Sequence, residues 1–301
     1  MSAAAAALFD SAFLAKLEHL HLLAKKLFRG EHRAERRSRQ TGSSLEFADY
    51  REYTPGDELR SIDWPAYGRL ERLFVKLYEQ EQDLPVHFLV DVSASMKWTP
   101  PASRPTKLES SLRITAALAY ISLANLDRVN IHCFASGLLS ELGIARGKTQ
   151  FHSVLDFLRN APEPDGPTHL LACVRTFTQR VKRRGLVFVL SDFFDPAGYE
   201  EALSLLRHSK FEVHTIQILD PAELAPTHVG DLSLLEIETD KALDLTVSEK
   251  LLRRYRDEIS AFNSNLETFC LQRSIAHAFV KTDVPFEDIV LRILRDGLML
   301  Q

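Results

Sequence analysis

The chain has 301 residues, of which 45% are hydrophobic and 26% are charged. These proportions supply an ordinary globular core, and they exclude a disordered, collagen-like or membrane-dominated chain. The formal net charge of −4 argues against a protein that binds nucleic acid over its whole surface, so no nucleic-acid partner is expected. The length suits one large domain with a modest accessory piece.

The cysteines and the apolar segments bear on the location of the protein. The three cysteines are far apart and form no CxxC pair, so neither a disulfide framework nor a structural zinc site is predicted. The longest apolar runs have the length of a strand, whereas a membrane helix needs about 20 residues. We therefore expect a cytoplasmic protein without a targeting or transmembrane segment, for which peripheral membrane contact stays open.

The N-terminal segment, residues 1–40, contains a predicted helix with a basic end. Leucines recur every three or four residues between about Ser11 and Arg37, which predicts an amphipathic helix. Basic residues accumulate from Lys25 to Arg39. Their simplest interpretation is a solvated helix end that the helix dipole favours. An anionic surface of a protein, a nucleic acid or a lipid is the alternative partner.

Residues 41–84 differ from the preceding helix in composition, because they are rich in polar and aromatic residues. Extended runs over Leu45–Tyr53 and Leu73–Glu79 lie on either side of a Pro-Gly-Asp turn at positions 55–57. This pattern predicts a small β-rich lobe.

From residue 85 to residue 301, short apolar segments alternate with helical patterns, and a hairpin is inserted at about 231–248. The alternation predicts an α/β domain with a mostly parallel sheet and helices on both faces. The predicted strands are His87–Val92, Arg128–Ala135, Leu186–Ser191, Glu212–Leu219 and Ala276–Lys281. The predicted helices are Lys107–Asn125, Phe151–Arg159, Leu170–Arg183, Ala197–His208, Ser248–Gln272 and Phe286–Leu298.

The segment that carries chemistry follows the first of these strands. Asp91 lies near the strand's end, and Ser93 and Ser95 follow at spacings of two and four. Ligands of open α/β sheets gather at the carboxyl ends of strands, and an extended loop turns these three side chains toward one point. Their oxygen atoms suit Mg²⁺ or another divalent ion that prefers oxygen. Alternatively, Asp91 and Ser93 only cap the following turn.

Two further segments strengthen the metal hypothesis. Thr168 lies in a loop that enters a helix, and Asp192 directly follows a second apolar strand. The order Asp, Ser, Ser, Thr, Asp resembles the metal-ion-dependent adhesion site of von Willebrand factor type A domains. The resemblance implies a von Willebrand factor A-like fold and a metal site. The implied ligand set is Asp91, Ser93, Ser95, Thr168 and Asp192. In such domains the three hydroxyls contact the metal, whereas the two aspartates often act through water.

The β-rich lobe carries a second motif. Its residues are Arg51, Tyr53, Pro55, Gly56, Asp57, Arg60, Asp63 and Trp64. Together with a C-terminal segment from Tyr255 to Phe286, this signature resembles the bacterial domain-of-unknown-function family numbered 58. One interpretation is a charged network of Asp57, Arg60 and Asp63 that fixes the lobe to the main domain, with Tyr53 and Trp64 as packing anchors. The other interpretation is a surface that binds a partner.

The resemblance implies a function in metal-dependent protein binding and no enzymatic activity. The metal would be Mg²⁺, with Mn²⁺ or Ca²⁺ as alternatives, and an acidic residue of a partner would complete its coordination shell. The family implies a MoxR-type AAA+ ATPase and a protein client as partners, in protein assembly or maturation. The sequence has no GxSxG elbow and no GxxxxGK[ST] loop. Two alternatives stay open: a metal-dependent hydrolase that uses the same loop, and an adaptor that docks through the basic segment Lys25–Arg39.

Overall fold

A computed structural model of the protein describes residues 8–31, 46–79, 84–98, 104–164, 166–235, 237 and 242–295. The chain divides into two compact units. The large unit comprises Met1–Lys26 and Leu84–Gln301, and the small unit comprises Leu27–Asp83.

The helices and strands are numbered in chain order. The helices are α1 (Ser11–Glu31), α2 (Trp64–Leu70), α3 (Lys107–Ala124), α4 (Phe151–Arg159), α5 (Leu170–Arg180), α6 (Glu200–His208), α7 (Pro221–Leu224), α8 (Glu249–Gln272) and α9 (Phe286–Arg295). The strands are β1 (Glu46–Glu52), β2 (Phe74–Glu79), β3 (Pro85–Asp91), β4 (Arg128–Phe134), β5 (Leu138–Arg146), β6 (Leu186–Ser191), β7 (Glu212–Leu219), β8 (Gly230–Leu235), β9 (Ala242–Val247) and β10 (Ala276–Lys281).

The small unit contains the predicted β-structure and a helix that the sequence pattern did not predict. Strands β1 and β2 pair in antiparallel fashion, and α2 lies between them in the chain. Asp63 begins this helix, because its Oδ1 accepts a hydrogen bond of 3.2 Å from the backbone amide of Ala66. Its Oδ2 accepts a hydrogen bond of 2.8 Å from the hydroxyl of Tyr50 on β1. One buried carboxylate therefore joins the helix to the strand pair.

The large unit is built on a six-stranded sheet with the order β10-β7-β6-β3-β4-β5. All neighbouring strands are parallel except β5, which pairs antiparallel with β4 at the edge. Every residue of β6 is buried, as expected for a strand covered on both faces. Helices α5, α6 and α8 contribute to the core on one face, whereas α3 packs against β3 and β4 and also contacts α4 and α9. The predicted mixed α/β architecture with a mostly parallel sheet is confirmed.

The strand order brings three carboxyl ends together at the centre of the sheet. Strand β3 has β4 on one side and β6 on the other. The chain leaves β3 toward β4 and later returns across β3 to β6, so the direction of winding changes beside β3. In open α/β sheets this is where ligands bind.

The N-terminal helix α1 packs through its apolar face. Its buried residues include Phe13, Leu17, Leu20 and Ala24. The centre of the Phe13 ring lies 4.8 Å from the centre of the Phe286 ring. The predicted basic segment continues beyond this helix, and its residues 32–40 lie outside the described residues.

The predicted hairpin is present as β8 and β9, which pair in antiparallel fashion. Strand β5 was not predicted, because it is an edge strand of mixed exposure without a continuous apolar run. Across the described ranges, no helix combines the length and the apolar character that crossing a bilayer requires.

Candidate metal centre

Asp91 ends the central strand β3, and its side chain is fully buried. Its Oδ1 accepts a hydrogen bond of 2.9 Å from the backbone amide of Ser93, which tightens the turn after the strand. Its Oδ2 accepts a hydrogen bond of 2.6 Å from the hydroxyl of Ser191, the last residue of β6. The carboxylate is therefore oriented by both loops that leave the centre of the sheet.

The two predicted serines continue from this turn toward β6. The hydroxyl oxygens of Ser93 and Ser95 lie 3.1 Å apart. The hydroxyl of Ser95 donates a hydrogen bond of 2.9 Å to Oδ2 of Asp192. Ser93 and Asp192 are buried, whereas Ser95 is partly exposed and so gives the cluster access to solvent. Hydrogen bonds thus join four of the five predicted site residues.

Thr168 lies in a loop at the carboxyl end of β4, which is the other neighbour of β3. The amide of the following residue, His169, donates a hydrogen bond of 2.9 Å to the carbonyl of Ala135, which directly follows β4. Thr168 is 7% exposed. Between the residues that the structure describes, no hydrogen bond joins Thr168 to the other four predicted residues. The fold therefore places Thr168 at the same edge of the sheet, outside the hydrogen-bonded chain.

Asp195 connects the loop of Thr168 to the loop of Asp192, a role that the sequence pattern did not predict. Its Oδ2 accepts a hydrogen bond of 2.7 Å from the amide of Leu170, the first residue of α5. Its Oδ1 accepts a hydrogen bond of 2.8 Å from the amide of Ala197. Only the spacing Asp192-x-x-Asp195 hinted at this role, because the partner helix is distant in sequence.

Lys107 is a second residue of this cluster that the sequence pattern did not predict. It is the first residue of α3, its side chain is 1% exposed, and its Nζ donates hydrogen bonds of 2.7 Å to Asp192 Oδ2 and 2.6 Å to Glu223 Oε1. The ammonium also lies 5.6 Å from the centre of the Phe194 ring. Burial alone would lower the pKa of Lys107, but the two carboxylates outweigh burial and raise it. The cluster therefore contains a permanent positive charge.

Asp91, in contrast to Lys107, is less readily ionised in this cluster. Burial, reinforced by the nearby charge of Asp192, raises the pKa of Asp91 to about 7, and the hydrogen bonds from Ser191 and Ser93 only partly oppose this rise. A cation beside these carboxylates would favour the ionised form.

A second polar cluster follows β7 along the same edge of the sheet. Asp220 is buried and accepts two hydrogen bonds from Arg104, of 3.2 and 2.8 Å. It also accepts hydrogen bonds of 2.5 Å from the hydroxyl of Thr282 and 2.8 Å from the amide of Ala222. Glu223, which contacts Lys107, belongs to the same short helix α7. The C-terminal segment of the predicted family signature is thus tied to the edge that carries the site.

The signature residues of the small unit form a local network. Arg51 contacts Asp57 through a hydrogen bond of 2.7 Å and Thr54 through one of 3.0 Å, which closes the turn at Gly56. The hydrogen bond from Arg51 holds the pKa of Asp57 well below its usual range. The network therefore differs from the predicted one, because Asp57 pairs with Arg51 across the turn and not with Arg60.

The predicted packing anchors of the small unit are only partly enclosed. Trp64 is 58% exposed and packs edge-on against Tyr67, with 6.4 Å between the ring centres. Trp64 is the first residue of the surface helix α2. The preceding residue, Asp63, is buried, whereas the ring of Trp64 stays accessible. Tyr53 is partly exposed, and its amide donates a hydrogen bond of 2.9 Å to the carbonyl of Leu73.

The chemistry of the central cluster fits a hard divalent cation. Its donors are carboxylate and hydroxyl oxygens, the ligand types that Mg²⁺, Mn²⁺ and Ca²⁺ prefer. No group of three or more His, Cys, Asp or Glu side chains that could hold a metal is found in the part of the chain that the structure describes. The hydroxyls of Ser93, Ser95 and Thr168 would therefore have to supply much of the coordination.

A family model described as "Protein of unknown function DUF58" matches residues 49–264. The uncharacterized proteins Mb1516 of Mycobacterium bovis and Rv1480 of Mycobacterium tuberculosis are each 23% identical over 244 residues, which cover 80% of this chain and 76% of each relative.

Two solved structures are also similar. They are the conserved hypothetical protein BatB from Bacteroides thetaiotaomicron and an aerotolerance-related membrane protein from Bacteroides fragilis. Each has a TM-score of 0.44 and 14% sequence identity, and the similarity covers 72% of this chain and 98% and 100% of theirs.

Proposed function

The chain belongs to the DUF58 family, and we propose that it is a protein-binding module that depends on a divalent cation, with a von Willebrand factor A-like large unit and no catalytic activity. One observation carries the proposal. Hydrogen bonds join Asp91, Ser93, Ser95 and Asp192 into one cluster of oxygen donors at the carboxyl ends of β3 and β6.

The charges of this cluster favour binding of an additional anion. The proposed ligands of the divalent ion are three neutral hydroxyls and two carboxylates, so their negative charge does not exceed the charge of the ion. One of these carboxylates, Asp192, already forms an ion pair with Lys107 at 2.7 Å. Because Lys107 shares the charge of Asp192, the ligands neutralise the ion only in part, and a carboxylate from outside can replace a water molecule on the metal. Partly exposed Ser95 marks the side from which such a group would approach.

The proposed partner supplies that carboxylate from an aspartate or glutamate side chain. The resemblance to the family and to the adhesion-site motif supports a MoxR-type AAA+ ATPase and a protein client, acting in protein assembly or maturation. The proposed ion is Mg²⁺, with Mn²⁺ or Ca²⁺ as alternatives of the same ligand preference. Three free, buried cysteines support the reducing, cytoplasmic setting proposed from the sequence.

A calorimetric titration with Mg²⁺, repeated with Mn²⁺ and with acetate as a soluble carboxylate, tests the proposal. The full chain should bind one ion saturably, and Ser93→Ala should weaken binding by about tenfold or more because it removes a hydroxyl ligand. Ser204→Ala on α6 is the matched control and should bind as the wild type does. Folded wild-type protein that binds neither ion, with or without acetate, would contradict the proposal.

A further inference from the structure

The buried ammonium of Lys107 lies at the edge of the proposed metal site. It donates to the same oxygen of Asp192, Oδ2, that accepts the hydrogen bond from the Ser95 hydroxyl. The other oxygen of Asp192, Oδ1, accepts a hydrogen bond of 3.1 Å from the amide of Phe194. The ammonium therefore contacts one proposed metal ligand, Asp192, directly, and the same oxygen atom links it to a second, Ser95.

Glu223 also contacts Lys107, without belonging to the proposed metal ligands. Its Oε1 accepts the hydrogen bond from Lys107, and its Oε2 accepts a hydrogen bond of 2.8 Å from the backbone amide of Asp220. Both oxygens are thus used at the start of α7. The carboxylate holds the ammonium in place, and the ammonium remains oriented toward Asp192.

A positive charge this close to a divalent ion opposes its binding. The interior between α3 and the sheet is poorly screened, because Lys107 and Asp192 are 1% and 3% exposed in their side chains. The same charge favours any anion that arrives with the metal or after it. Affinity for the metal and affinity for an external carboxylate are therefore coupled through this side chain.

We propose that Lys107 sets the affinity of the site: its ammonium, held on Asp192 by Glu223, keeps binding of a divalent cation weak until a carboxylate from an acidic partner completes the site. This inference rests on the proposed metal-dependent function and adds to it an order of events. The metal and the partner's carboxylate bind tightly only together, so the module would release both when either is removed.

The test is a titration of the full chain with Mn²⁺, in which the electron paramagnetic resonance signal reports free Mn²⁺, with and without acetate. Wild-type protein should bind Mn²⁺ weakly alone and about tenfold more tightly with acetate. Lys107→Met should bind Mn²⁺ about tenfold or more tightly without acetate, and acetate should then add little. Lys182→Met, at an exposed lysine, is the control and should behave as the wild type.

The outcomes separate the two proposals. Folded Lys107→Met that binds Mn²⁺ no more tightly than the wild type overturns the role of Lys107 and leaves the metal site intact. A wild-type protein and a Lys107→Met variant that both fail to bind Mn²⁺, even with acetate, overturn the metal site and this inference together.

A second variant covers the case in which Lys107→Met does not fold. Glu223→Gln keeps the ammonium and removes the carboxylate that shares it, so Lys107 acts on Asp192 alone. This change should weaken binding of Mn²⁺ several-fold, a shift opposite in sign to that of Lys107→Met. Unchanged or tighter binding in folded Glu223→Gln overturns the inference.

Discussion

The hydroxyl of Ser191 donates a hydrogen bond of 2.6 Å to Oδ2 of Asp91, although the two residues are 100 positions apart in the chain. They end the neighbouring strands β6 and β3, and both are buried. The same hydroxyl oxygen accepts a hydrogen bond of 2.9 Å from the amide of Phe193. Ser191 therefore fixes the loop of Asp192 against the loop of Ser93 and Ser95.

Replacement of this hydroxyl should destabilise the protein. Ser191→Ala removes a hydrogen bond to a buried carboxylate and leaves the amide of Phe193 without its acceptor. We expect a loss of about 2 kcal/mol in the free energy of unfolding, measured by urea denaturation.

The control for this change is a buried serine without such a role. Ser122 lies on α3, and its hydroxyl has no hydrogen-bond partner in the described part of the chain. Ser122→Ala should change the free energy of unfolding by less than about 0.5 kcal/mol. Equal losses in the two variants would show that Ser191 contributes only as a small buried side chain.

A glycine before β6 determines how closely β6 approaches β3. A Cβ atom at Gly185 would lie 2.1 Å from the carbonyl oxygen of Pro85, the first residue of β3. Because this neighbour is backbone, a new side chain can be accommodated only by moving the strands. We expect Gly185→Ala to lower the free energy of unfolding by about 2 kcal/mol or more, measured by urea denaturation.

Gly143 on β5 provides the comparison, because nothing lies within 4 Å of a Cβ atom built there. Gly143→Ala should leave stability within about 0.5 kcal/mol of the wild type. A loss at Gly143 as large as that at Gly185 would mean that the effect arises from strand propensity and not from the contact with Pro85.

Two buried histidines should make the large unit sensitive to acid. Burial, helped by the charges of His132 and Arg184, lowers the pKa of His87 to about 4. Burial also lowers the pKa of His132 to about 4, against the opposing effect of Glu141. The unfolded chain binds these protons near pH 6.5, whereas the folded chain binds them only near pH 4. The contribution of these two histidines to stability is therefore complete above pH 6.5 and is lost as the pH falls from 6.5 toward 4.

This sensitivity can be measured as the slope of unfolding free energy against pH. His87→Gln should remove one of the two protons, and with it about 3 kcal/mol of the loss between pH 7 and pH 4. His208→Gln, at an exposed histidine on α6, should keep the wild-type slope. A wild-type slope in His87→Gln would contradict the prediction, because His87 would then bind its proton at the same pH in the folded and the unfolded chain.

The central strands of the large unit were predictable because they are covered on both faces. The bounds of β6, β7 and β10 agree with the prediction to the residue, and the fully buried β6 has the nearly continuous apolar run that is typical of such strands. Strand β5 was missed because half-exposed edge strands lack such runs. Helix α2 was missed although Asp63 and Pro65 are helix-start signals, because extended segments on both sides suggested only β-structure.

The site was predictable only where its chemistry follows strand ends. Asp91 ends β3 and Asp192 directly follows β6, and parallel strands bring such positions to one edge. Lys107 looks like an ordinary first residue of a helix with a capping box at Thr106. Whether its side chain points to solvent or into the sheet depends on the loop after β6, which is 85 positions away. The sequence pattern around Lys107 does not indicate that Asp192 lies next to it in the fold.

The buried charge of Asp91 should reduce the stability of the metal-free protein, as expected for a residue whose role is to bind a ligand. Burial and the charge of Asp192 raise the pKa of Asp91 from its ordinary value of 3.8 to about 7. Between these values the unfolded chain releases a proton that the folded chain retains, so stability falls as the pH rises from about 4 to about 7. Asp91→Asn, which has no charge, should therefore melt at a higher temperature than the wild type at pH 8 in the presence of EDTA. The difference should shrink near pH 4.5.

Asp192→Asn is the matched variant, and its stability should change in the opposite direction. It removes the carboxylate that pairs with buried Lys107 at 2.7 Å, so we expect a loss of about 3 kcal/mol. Both variants should lose binding of Mg²⁺ in calorimetry. A metal-free Asp91→Asn protein that is less stable than the wild type at pH 8 would contradict the prediction, because Asp91 would then support the fold and not the ligand.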